Sequence, residues 1–193
     1  MGEPDQSVSE PSSWQVTARD LMVLTKFRLS ALVIVTTFVG FWLGREGPLD
    51  LSLLLHTLFG STLAAFGAAV FNQLMEIEPD SKMHRTADRP LPSGRISPSV
   101  AFGIGWLLSA LSLIHLVRTV NTEAASLTAL TLAVYLFVYT PLKQTSVLNT
   151  LVGAVSGALP PLIGWAGAAG MSPVNAPYYR CLLYTSPSPR DRG

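Results

Sequence analysis

Long apolar stretches, separated by short polar segments, make up most of this 193-residue chain. Five of them contain no Lys, Arg, Asp or Glu, and these are residues 29–44, 51–75, 98–117, 124–142 and 144–170. A helix needs about 20 apolar residues to cross a bilayer, and lipid offers no partners for unpaired backbone groups. The pattern therefore predicts an all-α, polytopic transmembrane helix bundle. Its five spans are expected at about 24–44, 51–75, 98–117, 124–142 and 147–170.

The composition also indicates lipid rather than water as the solvent. Charged residues make up 13% of the chain, whereas soluble domains carry about 25%. Core helices of a soluble domain are the alternative, but five such runs would bury more surface than a small domain can. The net charge of +1, without a basic stripe, does not indicate nucleic-acid binding. The single cysteine, Cys181, cannot form an internal disulfide.

The Lys and Arg residues that flank the spans predict their orientation. Residues 1–20 form a polar segment without the basic start of a signal peptide. The first span is therefore expected to direct insertion, by default into a bacterial cell inner membrane. Eight flanking Lys and Arg residues lie on one side of the membrane and two on the other. Because cytoplasmic loops are enriched in these residues, we expect the N-terminus and residues 72–97 to face the cytoplasm.

The chain changes character near its C-terminus. The stretch CLLYTSPSPRD, which begins at Cys181, is abruptly polar and rich in Ser and Pro. It resembles translated sequencing-adapter read-through, so we interpret residues 181–193 as a non-native tail and exclude them from fold reasoning. A native disordered C-terminus is the alternative.

Residues 72–97, NQLMEIEPDSKMHRTADRPLPSGRIS, form a dense mixed-charge segment between two apolar spans. Asn72, Glu76 and Asp80 are spaced i, i+4, i+8, so on a helix they share one face. Pro79 is expected to kink or end that helix near Glu78. Carboxylate and amide oxygens suit Mg²⁺, which completes its shell with water and substrate phosphate.

Basic residues follow the acidic ones directly. Lys82, Arg85 and Arg89 come within ten residues of Asp80, and guanidinium groups bind phosphate oxygens in a bidentate manner. Acids for a metal followed by bases for phosphate predict a metal–diphosphate site. An ordinary positively charged cytoplasmic loop with incidental salt bridges is the alternative.

A second polar pair and an unusual span complete the candidate chemistry. Tyr139 and Lys143 lie at i, i+4 where the fourth span ends, on the same predicted side as the acidic segment. Membrane-interface anchoring is the alternative reading of both residues. The fifth span is rich in Gly and Ala and contains Pro160-Pro161. It is expected to pack inside the bundle or to line a pocket.

These motifs resemble the UbiA-type intramembrane prenyltransferases over roughly residues 20–170. The resemblance rests on LTKFRLS, on NQLMEIEPD followed by RT-x-x-RPL-x-SG-x-IS, on YTPLK and on NTLVGAVSGALPPLIGW. The stretch GAVSGALPPLIGW is most similar to the branch of protoheme IX farnesyltransferases, or haem O synthases.

The resemblance implies farnesyl transfer from farnesyl diphosphate to the vinyl group of haem b, giving haem O and diphosphate. Haem b would be a substrate rather than a cofactor. The lipid bilayer and haem A synthase or terminal oxidase assembly are the implied partners. The implied catalytic set, with its first three members as ligands of Mg²⁺, is Asn72, Glu76, Asp80, Tyr139 and Lys143. The implied diphosphate-binding set is Lys82, Arg85, Arg89, Lys26 and Arg28.

The chain departs from the family pattern in two ways. Position 76 is Glu where many bacterial members have Asp. The family has nine helices and a second Asp-rich motif after the fifth, whereas this chain carries five predicted spans and no such motif. We therefore interpret it as C-terminally truncated and expect the 193-residue chain to be inactive by itself. Two other functions stay open: prenyl transfer to an aromatic quinone precursor, and a non-enzymatic role as a transporter or assembly factor.

Overall fold

The computed structural model describes residues 18–45, 47–140 and 149–169, and all regular structure in that part of the chain is helical. Residues 1–17 of the predicted polar segment 1–20, the predicted tail 181–193 and Lys143 lie outside it. In chain order the helices are α1 (Ala18–Leu24), α2 (Phe27–Gly44), α3 (Leu51–Met75), α4 (Ile77–Ser81), α5 (Pro98–Thr119), α6 (Thr122–Ala133), a π-helical segment (Val134–Tyr139) that continues α6, and α7 (Asn149–Ala169).

Four helical stretches of the described chain are long and apolar enough to cross a membrane. They are α2, α3, α5 and the continuous stretch Thr122–Tyr139. Large apolar side chains such as Leu43, Trp106 and Phe137 are 67%, 62% and 78% exposed on their surfaces, which suits contact with lipid tails. The predicted all-α transmembrane bundle is confirmed, and the chain is a multi-pass membrane protein. The fifth predicted span, 147–170, coincides with α7.

Side-chain caps define where three of the spans begin. Asp50 Oδ1 accepts from the Leu53 amide at 3.0 Å before α3, and Ser97 Oγ accepts from the Val100 amide at 3.3 Å before α5. Asn121 Oδ1 accepts from the Ala124 amide at 2.7 Å before α6. Such caps satisfy amide groups that the first turn of a helix leaves without a partner.

Glycine brings α2 and α7 into backbone contact. A Cβ atom added to Gly40 would collide with the backbone of Pro161, and one added to Gly164 would collide with the carbonyl of Thr37. Small residues permit this close approach between membrane helices. The two helices therefore form one wall of the bundle, and α3 packed on α5 forms another.

Two apolar clusters lie at opposite ends of the bundle. The first joins the end of α1 to α3, α5 and the loop before α5, and consists of Leu24, Val70, Leu91, Ile96 and Ala101. The second joins α6 to α7 and consists of Ala124, Ile163 and Ala166. The first cluster holds the mixed-charge segment against the end of α3, where the polar residues of the chain converge.

Candidate functional site

Helix α3 ends one turn before Pro79. Proline lacks an amide hydrogen, and its ring conflicts with the carbonyl group four residues earlier, which here belongs to Met75, the last residue of α3. The predicted kink therefore occurs at Glu76, two residues earlier than expected, because the effect of the proline falls on the preceding turn. The chain breaks at Glu76, with φ −103° and ψ 8°, and resumes as α4.

The break preserves the predicted common face. The Glu76 amide donates to the Asn72 carbonyl at 3.1 Å, and the Asp80 amide donates to the Glu76 carbonyl at 2.9 Å. Asn72, Glu76 and Asp80 are all buried, with 1%, 7% and 4% exposure. Asn72 Nδ2 also donates to Glu76 Oε2 at 2.8 Å. The structure thus brings these three residues together, and we call them the acidic site.

Each carboxylate of the acidic site is paired with a cation. Lys26 Nζ lies 3.8 Å from Glu76 Oε2, and Arg89 Nη1 donates to Asp80 Oδ2. Removing carboxylates from water is costly unless nearby cations and hydrogen bonds compensate. The two pairs therefore offset part of the cost of burying both carboxylates and place a cation beside each of them.

Lys26 reaches the acidic site from the turn between α1 and α2. Its backbone is left-handed, with φ 47° and ψ 50°, and it is the one non-glycine residue with positive φ in the described ranges. Gln73 holds this turn in place, because its Nε2 donates to the carbonyls of Val23 at 2.7 Å and Leu24 at 3.0 Å. Our sequence reasoning missed Gln73, although a second amide beside Asn72 in an apolar span was an available signal.

The other three predicted diphosphate ligands lie away from the acidic site and its two cations. Arg28 and Arg85 are exposed. Lys82 Nζ pairs with Glu78 Oε1 at 2.7 Å, where the two side chains are 70% and 81% exposed. The hydrogen bond and charge of Lys82 lower the pKa of Glu78 below its usual value. Glu78 therefore faces outward, whereas Glu76, two residues earlier, is buried.

Two tyrosines of the π-helical segment border the acidic site. The rings of Tyr135 and Tyr139 stack with their centroids 5.3 Å apart, and the Tyr135 hydroxyl donates to Asn72 Oδ1 at 3.4 Å. A Cβ atom added to Gly153 would lie 3.0 Å from Cε2 of Tyr139, so glycine leaves space for that ring. Sequence reasoning predicted Tyr139 and missed Tyr135, although Tyr135 continues the i, i+4 pattern by one turn.

A cavity of about 350 Å³ begins beside these residues and extends into the bundle. Lys26, Tyr135 and Tyr139 lie at its mouth, and small residues of α3 line one wall, including Ala64, Ala65, Ala68 and Ala69. Pro160 of α7 also lines it, which agrees with the expectation for the proline-containing span.

The serine and threonine hydroxyl groups in this cavity donate their hydrogens within their own segments. Thr36, Ser61, Thr128, Thr131 and Ser156 each donate to a carbonyl three or four residues earlier, and Ser30 donates to the carbonyl of Thr25. Their hydrogens are therefore not directed toward a guest molecule. The cavity is suited to an apolar chain, with the Lys26 amine and the two tyrosine hydroxyls at its mouth.

The acidic site fits a magnesium ion that is bound together with a phosphate group. Its donors are the oxygens of one amide and two carboxylates, which are the hard ligands that Mg²⁺ prefers. Among the described residues, no three or more His, Cys, Asp or Glu side chains lie close enough together to hold a metal ion. An ion here would need further oxygens, and phosphate commonly provides them for Mg²⁺.

Comparisons with known proteins agree with this geometry. Protoheme IX farnesyltransferase from Solibacter usitatus is 45% identical over 161 residues, which are 79% of this chain and 55% of the relative. The protein of that name from Anaeromyxobacter sp. is 46% identical over 165 residues, 84% of this chain and 54% of the relative. The chain thus spans about half the length of these curated relatives.

Two solved structures share the fold. A UbiA homolog from Archaeoglobus fulgidus bound to DMAPP and Mg²⁺ superimposes with a TM-score of 0.71 at 18% identity, covering 80% of this chain and 56% of the homolog. A digeranylgeranylglyceryl phosphate synthase superimposes with a TM-score of 0.70 at 19% identity, covering 77% and 53%. The UbiA prenyltransferase family profile matches residues 33–185. The chain belongs to the UbiA prenyltransferase family.

Proposed function

We propose that this chain carries the acidic motif and prenyl-binding cavity of a protoheme IX farnesyltransferase. That enzyme would transfer farnesyl from farnesyl diphosphate to the vinyl group of haem b, releasing diphosphate and forming haem O. The observation that carries this proposal is that Lys26 and Tyr135, which contact Glu76 and Asn72 of the acidic site, also line an apolar cavity. The names of the curated relatives support haem b as the acceptor.

The acidic site would hold the diphosphate end of the substrate. Asn72, Glu76 and Asp80 would bind magnesium, which supplies charge neutralisation of the diphosphate leaving group. Lys26 and Arg89 already lie beside the two carboxylates, so small rotations would direct them to phosphate oxygens. Tyr139, at the cavity mouth, would lie near the allylic carbon. Lys82, Arg85 and Arg28 would add positive charge from the periphery. Lys143, outside the described residues, would belong to the catalytic set with Tyr139.

The cavity would protect the reacting carbon from water. The bond between C1 of farnesyl and the diphosphate oxygen breaks, and its electron pair leaves with diphosphate. The vinyl π electrons of haem b then form the new bond to C1. A water molecule adds to the resulting haem-side cation and loses a proton, which gives the hydroxyethylfarnesyl group. Because the allylic cation itself must not meet water, the apolar lining would favour prenyl transfer over hydrolysis.

The same proposal includes the setting of the enzyme. The excess of Lys and Arg on one side of the spans supports a cytoplasmic N-terminus and acidic site. We place the protein in a bacterial inner membrane, where haem A synthase or an assembling terminal oxidase would receive the product.

The proposal is tested first by binding and then by turnover. The purified chain is titrated with farnesyl diphosphate in nanodiscs, and removing Mg²⁺ with EDTA is expected to weaken binding at least tenfold, because metal and diphosphate would share the acidic site. Mg²⁺-independent binding would argue against that site.

For turnover, the chain is continued by the remaining length of the Solibacter usitatus relative and given haem b and 4-hydroxybenzoate together. Farnesylation of the aromatic acid alone would favour a quinone-pathway enzyme, and no Mg²⁺-dependent binding would favour a non-enzymatic role.

Tyr135→Phe tests whether the tyrosine hydroxyl orients Asn72. The ring and its stacking are retained, and only the 3.4 Å hydrogen bond to Asn72 Oδ1 is lost. Net loss of one hydrogen bond corresponds to about 0.5–1.5 kcal/mol, so we expect affinity for farnesyl diphosphate with Mg²⁺ to fall about two- to tenfold. Isothermal titration provides the measurement. Unchanged affinity would show that Asn72 keeps its orientation without Tyr135.

A further inference from the structure

The cavity reaches a similar depth along each of four helices. Along each helix the lining runs from a residue near the mouth to one near the far end. The intervals are Lys26, just before α2, to Thr36 on α2; Ala69 to Ser61 on α3; Tyr139 to Thr128 on the α6 stretch; and Gly153 to Ile163 on α7. At about 1.5 Å per residue these intervals correspond to roughly 12–17 Å. The agreement between helices indicates one common floor.

Close contacts between helices form that floor. The carbonyl of Thr37 on α2 lies where a Cβ atom on Gly164 of α7 would be, and Thr57 of α3 lies 2.7 Å from such an atom on Gly167. Asn121 Nδ2 donates to the carbonyl of Ala166 at 2.7 Å, which ties the start of α6 to α7. These contacts leave little space below the cavity.

Ile163 is the large side chain at this level. It lines the cavity, is 3% exposed, and packs in the cluster with Ala124 and Ala166. Its two buried partners are alanines, and the partly buried Val120 and Leu127 pack against the same cluster, so the Ile163 side chain lies between the cavity and this cluster. The end of a long guest chain would meet Ile163.

The depth matches one prenyl length. With bonds of about 1.5 Å that each advance an extended chain by about 1.25 Å, the farnesyl main chain is roughly 14 Å long. On the same basis a geranyl chain is about 9 Å long and a geranylgeranyl chain about 19 Å. Farnesyl would fill the cavity, geranyl would leave its deeper part empty, and geranylgeranyl would exceed it.

We propose that Ile163 is the specificity-determining residue that limits the prenyl substrate to fifteen carbons, by closing the cavity floor. This inference rests on the proposed binding of prenyl diphosphates. One other path exists for a longer chain, because Leu29 and Leu32 line the cavity and are 63% and 61% exposed. A chain leaving beside α2 would not be limited by Ile163.

The test compares the affinities of geranyl, farnesyl and geranylgeranyl diphosphates for the chain in nanodiscs with Mg²⁺. For the unsubstituted chain, farnesyl is expected to bind at least tenfold more tightly than geranyl, because more apolar surface is buried. Geranylgeranyl should bind no more tightly than farnesyl. Ile163→Ala is expected to raise the geranylgeranyl-to-farnesyl affinity ratio at least tenfold. Because it is a ratio within one variant, a smaller folded fraction does not change it.

Two further variants keep the result interpretable. Ala65→Leu, halfway along the α3 wall, is expected to shift preference toward geranyl even if Ile163→Ala fails to fold. Ile114→Ala makes the same chemical change on α5, where the side chain is 55% exposed, and should leave all ratios unchanged. Tighter geranylgeranyl binding by the unsubstituted chain, or an unchanged ratio in Ile163→Ala, would overturn the floor assignment alone. If none of the three diphosphates binds, the proposed function fails with it.

Discussion

Replacing Glu76 with glutamine is expected to weaken Mg²⁺-dependent binding of farnesyl diphosphate at least about 100-fold, because disturbing even the outer residues of a metal site costs 10–100-fold. Glutamine keeps the shape of the side chain and can still accept the hydrogen bond from Asn72 Nδ2. It loses the negative charge that attracts the metal and that pairs with Lys26. Isothermal titration with and without Mg²⁺ measures the effect.

Glu78→Gln is the matched control for this prediction. It makes the same change two residues away, at a carboxylate that is 81% exposed and pairs with Lys82. Because this pair lies in solvent, its contribution is small and screened, and affinity should stay within about twofold. Equal losses in the two variants would mean that the segment contributes general charge, as an ordinary cytoplasmic loop would, and would contradict a specific acidic site.

Gly164→Ala is expected to destabilise the bundle by about 2–3 kcal/mol, the upper range for overpacking a close contact. The added methyl would collide with the carbonyl of Thr37 and lie 2.7 Å from the amide nitrogen of Phe41. Both atoms belong to the backbone of α2, so no side-chain rotation relieves the contact. The free energy of unfolding is measured by circular dichroism as the SDS fraction in mixed micelles increases.

Gly157→Ala separates this contact from the general effect of replacing glycine in α7. No atom lies within 4 Å of a Cβ placed on Gly157, and alanine favours helices by about 1 kcal/mol over glycine. We expect Gly157→Ala to be neutral or stabilising by up to that amount. Similar destabilisation of both variants would show that helix α7 tolerates no methyl group at either level, and that the α2 contact is not the cause.

Sequence periodicity was sufficient for features that belong to one helix. Four of the five charge-free runs correspond to the membrane-capable stretches and the fifth to α7, because lipid leaves helices as the practical solution for an unpaired backbone. The i, i+4, i+8 spacing likewise predicted that Asn72, Glu76 and Asp80 share a face. The predicted kink near Glu78 lies two residues earlier, at Glu76, since a proline conflicts with the carbonyl four residues before it.

Proximity in sequence was a poor guide to which cations serve the acidic site. Lys82 follows Asp80 by two residues, yet it turns outward to Glu78. Lys26 precedes Glu76 by fifty residues, yet its amine lies 3.8 Å from that carboxylate. The left-handed turn at Lys26 and the two hydrogen bonds from Gln73 produce this contact, and no periodic pattern encodes either of them.

By itself, the sequence determined that this protein lies in lipid, that it is helical, and which residues form the acidic face. Burial in lipid and the helical repeat act locally along the chain. Only the tertiary structure decided which cation pairs with which carboxylate, that Tyr135 contacts Asn72, and that Ile163 lies at the floor of the cavity. Those relations depend on how closely α2, α3, α6 and α7 approach one another. That approach is governed by glycine contacts and by the α6 cap residue Asn121, which bonds to α7, and these act between segments far apart in the chain.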